Sequence, residues 1–110
     1  MELPIQITFH GMSPSPALET AIRERAAKFD RYHPHVISCR AVVEEAGRHK
    51  SQGRMFEVRL DVKVAGAEIA VSREHSEDPF VALRDAADAA KRQLEDHARR
   101  QRGEVKTRRS

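Results

Sequence analysis

Residues 73–102 read REHSEDPFVALRDAADAAKRQLEDHARRQR, and this stretch organises the reading of the whole chain. It opens with a stop-and-start signal and continues as one long helix. Asp78 is suited to accept hydrogen bonds from the backbone N–H groups of the first turn, and Pro79 fits the first helical position because it has no N–H to satisfy. Phe80, Leu83, Ala87, Ala90 and Leu94 then recur at steps of three and four, which puts them on one face of a helix. The same helix grows more basic toward its end.

Working back from that helix, Phe56, Val58, Leu60, Val62 and Val64 alternate with Glu57, Arg59, Asp61 and Lys63, the clearest strand pattern in the chain. Ala65-Gly66 is short enough for a hairpin turn, and Ile69 and Val71 return on the core face within a strand over 68–72. Before it, 47–53 reads as a polar loop. The segment from about His35 to Ala46 is β-branched enough for a strand, although Ile37, Cys39, Ala41 and Val43 and the alternate set around Val36 and Val42 leave its buried face ambiguous.

Nearer the N-terminus, Ser15-Pro16 is a cap-and-start pair for a first helix. Leu18, Ile22 and Phe29 fall within about 40° of one another on it, flanked by Ala21 and Ala26. Tyr32-His33-Pro34 ends it, because the residue before a proline is pushed out of the helical region. Ile5, Ile7 and Phe9 alternate with polar residues in a short opening strand.

The order is β-α-β-β-β-α, an α+β single domain. The first two strands are expected to be parallel and the last three to form an antiparallel meander. Strand three has one apolar side, so both helices belong on one face of a four-stranded mixed sheet. The expected boundaries are a domain over 1–102 and a basic, flexible tail over 103–110.

With 110 residues the chain has room for one modest core. Charged residues are 34% and aromatics 5%, so that core must be built from aliphatic side chains and four Phe. No apolar run approaches a membrane span, and the N-terminus lacks a secretory signal pattern. One cysteine, Cys39, cannot form an internal disulfide, which fits a reducing cytoplasm.

The formal net charge of +3 is unevenly distributed. Residues 91–110 hold eight Lys or Arg against three acids, while residues 1–90 hold twelve against fourteen. A basic helix end is a plausible footprint for phosphate, but cations also favour a helix C-terminus without any ligand.

On the last helix, Arg84, Lys91, Arg92, Arg99 and Arg102 fall within about 100° of arc beside the core stripe, with Arg100 next to them in sequence. Such a row can track a phosphate backbone. Against that, Asp88–Arg92 and Glu95–Arg99 have the spacing of ordinary surface pairs. On the first helix, Arg25 lies at the edge of the apolar stripe and is expected to snorkel out between the helices, joining the other cations in one composite patch. Lys28 and Arg31 follow it.

Other chemistries find less support. His33, His35 and Cys39 invite a metal reading, yet they flank a helix-ending proline or sit mid-strand, and no second Cys pair completes a zinc set. Glu44 and Glu45 point to opposite strand faces, so they form no acid–base pair. There is no glycine-rich phosphate loop, nucleophile elbow or HExxH, so nothing argues for an enzyme or a cofactor. All four Phe are expected on core faces, leaving Tyr32 as the one candidate for base stacking. For a nucleic-acid partner, recognition by shape and phosphate is therefore the more coherent mode.

Three segments resemble the ribosome hibernation-promoting factors, also called ribosome-associated inhibitors or sigma-factor modulation proteins. The first is Asp78-Pro79-Phe80-x-Ala82-Leu83 followed by Arg92-Gln93-Leu94. The second is Ser15-Pro16-Ala17-Leu18 leading into Arg25-x-x-Lys28-Phe29-x-x-Tyr32. The third is the strand Phe56–Val64, the Ala65-Gly66 turn and the strand Glu68–Ser72. They cover nearly the whole chain in the family's order.

The resemblance implies a fold like a double-stranded-RNA-binding domain and binding to ribosomal RNA of the small ribosomal subunit. It implies occlusion of the messenger and transfer RNA channel in resting or stressed cells. Arg25, Lys28 and Arg31 match positions where the family carries basic residues, and together with the cations of the last helix the expected RNA-binding residues are Arg25, Lys28, Arg31, Arg84, Lys91, Arg92, Arg99, Arg100 and Arg102. The resemblance implies a cytoplasmic protein, monomeric when free, with no cofactor, membrane or small-molecule partner.

Two departures stand out: relatives often have Lys where Ala89 stands, and Ser76 reads as an extra residue before the helix. Some relatives continue past an RQRG-x-VK segment into a cold-shock-type domain, so the chain is expected to be either a short form or the front of such a fusion. The alternatives are a protein-interaction module that regulates transcription and a general RNA chaperone.

Overall fold

The computed structural model describes residues 4–33, 35–49 and 53–101. The elements run β1 (Ile5–His10), α1 (Pro16–Tyr32), β2 (Val36–His49), β3 (Gly53–Val64), β4 (Ala67–Ser76) and α2 (Pro79–Gln101). The sheet order is β1-β2-β3-β4. β1 pairs parallel with β2, and the other two pairings are antiparallel, as the helix and the short turn between the respective strands require.

Both helix starts follow from their caps. The Ser15 hydroxyl accepts from the Leu18 N–H at 3.2 Å, with Pro16 opening α1. The Asp78 carboxylate accepts from the N–H groups of Phe80 and Val81 at 3.0 and 3.3 Å, with Pro79 opening α2. Each satisfies N–H groups that have no carbonyl partner inside the helix. α1 closes at His33, which is extended (φ −135°, ψ 100°) as a residue before proline must be.

Leu18, Ile22, Ala26 and Phe29 of α1 and Leu83, Ala86, Ala90 and Leu94 of α2 pack on one face of the sheet, over Cys39, Ala41, Val43, Val58, Leu60, Val62, Ile69 and Val71. Removing this aliphatic surface from water is the main force holding the layers together. Ile5, Ile7 and Phe9 of the edge strand β1 are partly buried against the same core.

The ambiguous face of β2 is decided by a bulge. Val36 pairs with Val64 and Ser38 with Lys63, so Ile37 is an extra residue on the β2 side. That insertion lets Val36 and Cys39, three positions apart, both point into the core, and it leaves Ile37 half exposed.

Several boundaries differ from the sequence reading. β2 and β3 extend through much of the expected 47–53 loop, with a register shift between Ala46 and His49. Main-chain ladder bonds do not require apolar side chains, so polar composition did not end the pairing. β4 continues to Ser76, pairing opposite Met55–Val58, so Arg73–Ser76 is strand. Glu77 makes the reversal with φ 59°, and its N–H donates to the Arg54 carbonyl at 2.9 Å.

Phe80 is 45% exposed, contrary to its expected core position. The buried residues of α2 include Ala82, Ala86 and Ala89, which shift the core-facing arc toward the alanine side and leave Phe80 on the opposite margin of the first turn. Small side chains let α2 sit close to the sheet, and a bulky ring at that margin is left outside. Arg102 and the expected tail over 103–110 lie outside the described residues.

Candidate nucleic-acid interface

The cations of α2 project from the arc opposite the buried stripe, not from beside it as expected, because the buried residues are centred on the alanine side of the helix. Arg84, Lys91, Arg92 and Arg99 are all exposed. Arg100 is exposed too, but about 100° per residue places it on the flank of Ala82 and Ala89, away from the other four. The four described members of the sequence row, Arg84, Lys91, Arg92 and Arg99, thus share one arc, and Arg100 stands outside it.

α1 contributes the remaining charge. Arg25 is half-buried, and its guanidinium reaches 4.0 Å from the Asp88 carboxylate of α2. Asp88 lies in the same arc as Arg84 and Arg92, so the contact brings Arg25 onto the α2 cation row across the seam between the helices. Lys28, one turn further along, is exposed on the same side of α1. Arg31 is exposed on the side of α1 that faces away from the core.

The ion pairs are not those the spacing implies. Asp88 pairs with Arg25 instead of Arg92, and Arg99 pairs with Asp96 three residues before it instead of Glu95. Arg84 pairs with its neighbour Asp85 at 3.2 Å. Lys28, Arg31, Arg92 and Arg100 make no ion pair among the described residues. A contact between residues 63 positions apart leaves no local signal in the sequence, whereas the short-range pairs compete among several acids of equal reach.

The opposite side of the sheet has a different character. In register across its strands stand Gln6, Arg40 and Asp61, then Thr8, Val42, Arg59 and Ser72, then His10, Glu44, Glu57 and Glu74. Acids outnumber Lys and Arg on this face, and an open concavity lined by Gln6, Arg40, Asp61, Lys63 and Glu68 mixes both signs. The helix side carries more cations than acids, the reverse of the open sheet, with Asp85, Asp88, Glu95 and Asp96 interspersed along α2.

At the far end of the β2–β3 ladder, Arg54 holds Glu45 through two bonds of 2.9 and 3.2 Å and lies 5.2 Å from the Phe56 ring centroid. The carboxylate raises the Arg54 pKa further above its ordinary value, so this group is always charged. It acts as a lid on the exposed end of the core face and was not anticipated from sequence.

Cys39 is buried in the core, and burial, with Asp61 adding to it, pushes its thiol up to about 11. It behaves as a small apolar side chain. Among the described residues no group of three His, Cys, Asp or Glu side chains could hold a metal ion, and no helix is long and apolar enough to cross a membrane.

Residues 5–102 match the family model described as Sigma 54 modulation protein / S30EA ribosomal protein. The structure is similar to the N-terminal domain of Protein Y from Thermus thermophilus, with a TM-score of 0.73 and 18% identity, covering 88% of this chain and 99% of that one. It is also similar to a ribosomal subunit interface protein from Coxiella burnetii, with a TM-score of 0.65 and 22% identity over 87% of this chain and 98% of that one. At these identities the structural likeness establishes the fold. No curated protein matches the chain in sequence.

Proposed function

The chain belongs to the Sigma 54 modulation protein / S30EA ribosomal protein family, and from that premise we propose that it is a ribosome-binding hibernation factor. It docks the cation face of α1 and α2 on ribosomal RNA of the small subunit and occludes the channel for messenger and transfer RNA. The partner is a ribosomal subunit, a reading supported by the likeness to a protein described as a ribosomal subunit interface protein. The reading is that of a cytoplasmic binding protein, monomeric when free, whose effect is steric and requires no catalysis.

The observation that carries this reading is the meeting of Arg25 with the α2 cation row across the Arg25–Asp88 contact. A surface built from two helices fixed on one sheet presents its charges at set spacings, so several phosphates are met together without refolding the protein. The acidic majority on the open sheet face favours approach with the helices toward RNA. Lys28, Arg31, Arg92 and Arg100 supply further charge on the helices.

The test is co-sedimentation of the protein with small subunits and whole ribosomes on sucrose gradients at low and moderate salt. Saturable, salt-sensitive binding to the small subunit, displaced by messenger or initiator transfer RNA, is expected from counterion release and channel occlusion. No binding at either salt would discard the ribosome reading in favour of a protein partner.

A further inference from the structure

The cations of the helix face differ in one respect that matters for binding. Three are already held by carboxylates of α2: Arg25 by Asp88, Arg84 by Asp85 and Arg99 by Asp96. All six side chains are between 37% and 56% exposed. Exposed pairs of this kind contribute little to stability, so the fold gains little from them. A guanidinium offers the same donor fork to a carboxylate as to a phosphate, and one cannot serve both fully.

We infer that Asp85, Asp88 and Asp96 are internal competitors of RNA phosphate, holding in the free protein the guanidinium groups that bound RNA takes over. The inference rests on the helix face being the RNA-binding surface. Docking then has two parts. Lys28, Arg31 and Arg92, which have no carboxylate partner among the described residues, attract the RNA first. Arg25, Arg84 and Arg99 exchange carboxylate for phosphate as the surfaces close. Each exchange returns less free energy than the capture of phosphate by an unpaired arginine, and each leaves a carboxylate near the RNA backbone. The consequence is an affinity held below what the number of cations allows, and a complex that dissociates readily when a competing ligand or more salt is present.

The pairing across the helices is the loosest of the three, an ion pair at 4.0 Å, beyond hydrogen-bond distance. Asp88 aims the Arg25 guanidinium at the α2 surface, so it both places this cation and competes for it. The other two acids act within α2 alone.

The experiment compares two triple variants that change net charge equally. One is Asp85→Asn, Asp88→Asn and Asp96→Asn on the helix; the other is Glu57→Gln, Glu68→Gln and Glu74→Gln on the sheet. Kd values are measured near 0.15 M salt, where charges more than about 8 Å apart are largely screened, for the small subunit and for a short RNA duplex. The helix triple is expected to tighten binding to both probes by about tenfold. The sheet triple is expected to change either by less than about threefold. Asp88→Asn alone is expected to give a measurable part of the gain and keeps the test usable if the triple variant folds poorly.

Equal tightening by the two triples would show a general charge effect and overturn the inference, as would no tightening by the helix triple. Tightening on the duplex without small-subunit binding by any form would uphold internal competition and reject the ribosome reading.

Discussion

The Arg25 guanidinium of α1 lies 4.0 Å from the Asp88 carboxylate of α2, an ion pair that crosses the seam between the two helices. Its side chains are 37% and 56% exposed, so water screens the attraction. The pair places a charge more than it stabilises the fold.

Arg25→Ala is accordingly expected to lower unfolding free energy by less than ~1 kcal/mol. Small-subunit affinity is expected to fall by about tenfold in the same variant, as for loss of one charge-assisted phosphate contact. Urea unfolding and sedimentation binding on one preparation separate the two effects. A large stability loss with unchanged binding would make Arg25 a structural residue.

Charge reversal tests which face meets RNA. Lys91→Glu with Arg92→Glu should weaken small-subunit binding by about thirtyfold or more and flatten its salt dependence. Arg59→Glu with Lys63→Glu, on the open sheet, should change affinity by less than about threefold. Equal losses from both double variants would dissolve the distinction between the faces.

The two described glycines with positive φ make a graded pair. Gly11 has φ 72°, and an added Cβ would stand 2.8 Å from the Glu45 carbonyl oxygen, a backbone atom that cannot swing away. Gly66 has φ 86° but would meet nothing nearer than the Gln101 side chain at 3.9 Å. Gly66→Ala should cost ~1 kcal/mol, the left-handed penalty alone. Gly11→Ala should cost ~2–4 kcal/mol because a backbone clash is added. Denaturant midpoints of the two variants give the order directly.

Cys39 links stability to alkaline pH. Burial, then Asp61, raises its thiol from 9.0 to about 11, so the folded state keeps the proton where the unfolded chain has lost it. The unfolded state binds fewer protons across that window, and stability falls as pH rises. Its contribution is complete below pH 9 and disappears between about 9 and 11. Cys39→Ala should flatten the stability profile over that interval, and native Cys39 should react with a thiol reagent only as fast as the protein opens. Rapid labelling of the folded protein near pH 8 would contradict its burial.

Elements whose cause is local were legible. Ser15-Pro16 and Asp78-Pro79 announce helix starts because the capping oxygen and the bonds it accepts lie within three residues. The alternation from Phe56 to Val64 defines a buried face because strand side chains alternate strictly. The placement of Arg84, Lys91, Arg92 and Arg99 along one arc of α2 follows from helical periodicity.

Features that depend on fit between elements were not. The Ile37 bulge arises because β2 must present Val36 and Cys39 to the same core while staying in register with β3, and either alternation of its apolar residues looked acceptable alone. Phe80 satisfies the helical stripe on paper, yet the alanine flank of α2 turned toward the sheet and left it outside.

The chain by itself determined the element order, the helix caps, the strand faces of β3 and the cation row of α2, because each is set by interactions among residues a few positions apart. Only the tertiary structure decided the β2 register, the exposure of Phe80 and the meeting of Arg25 with Asp88, because packing two helices on one sheet fixes distances between segments that no local spacing encodes.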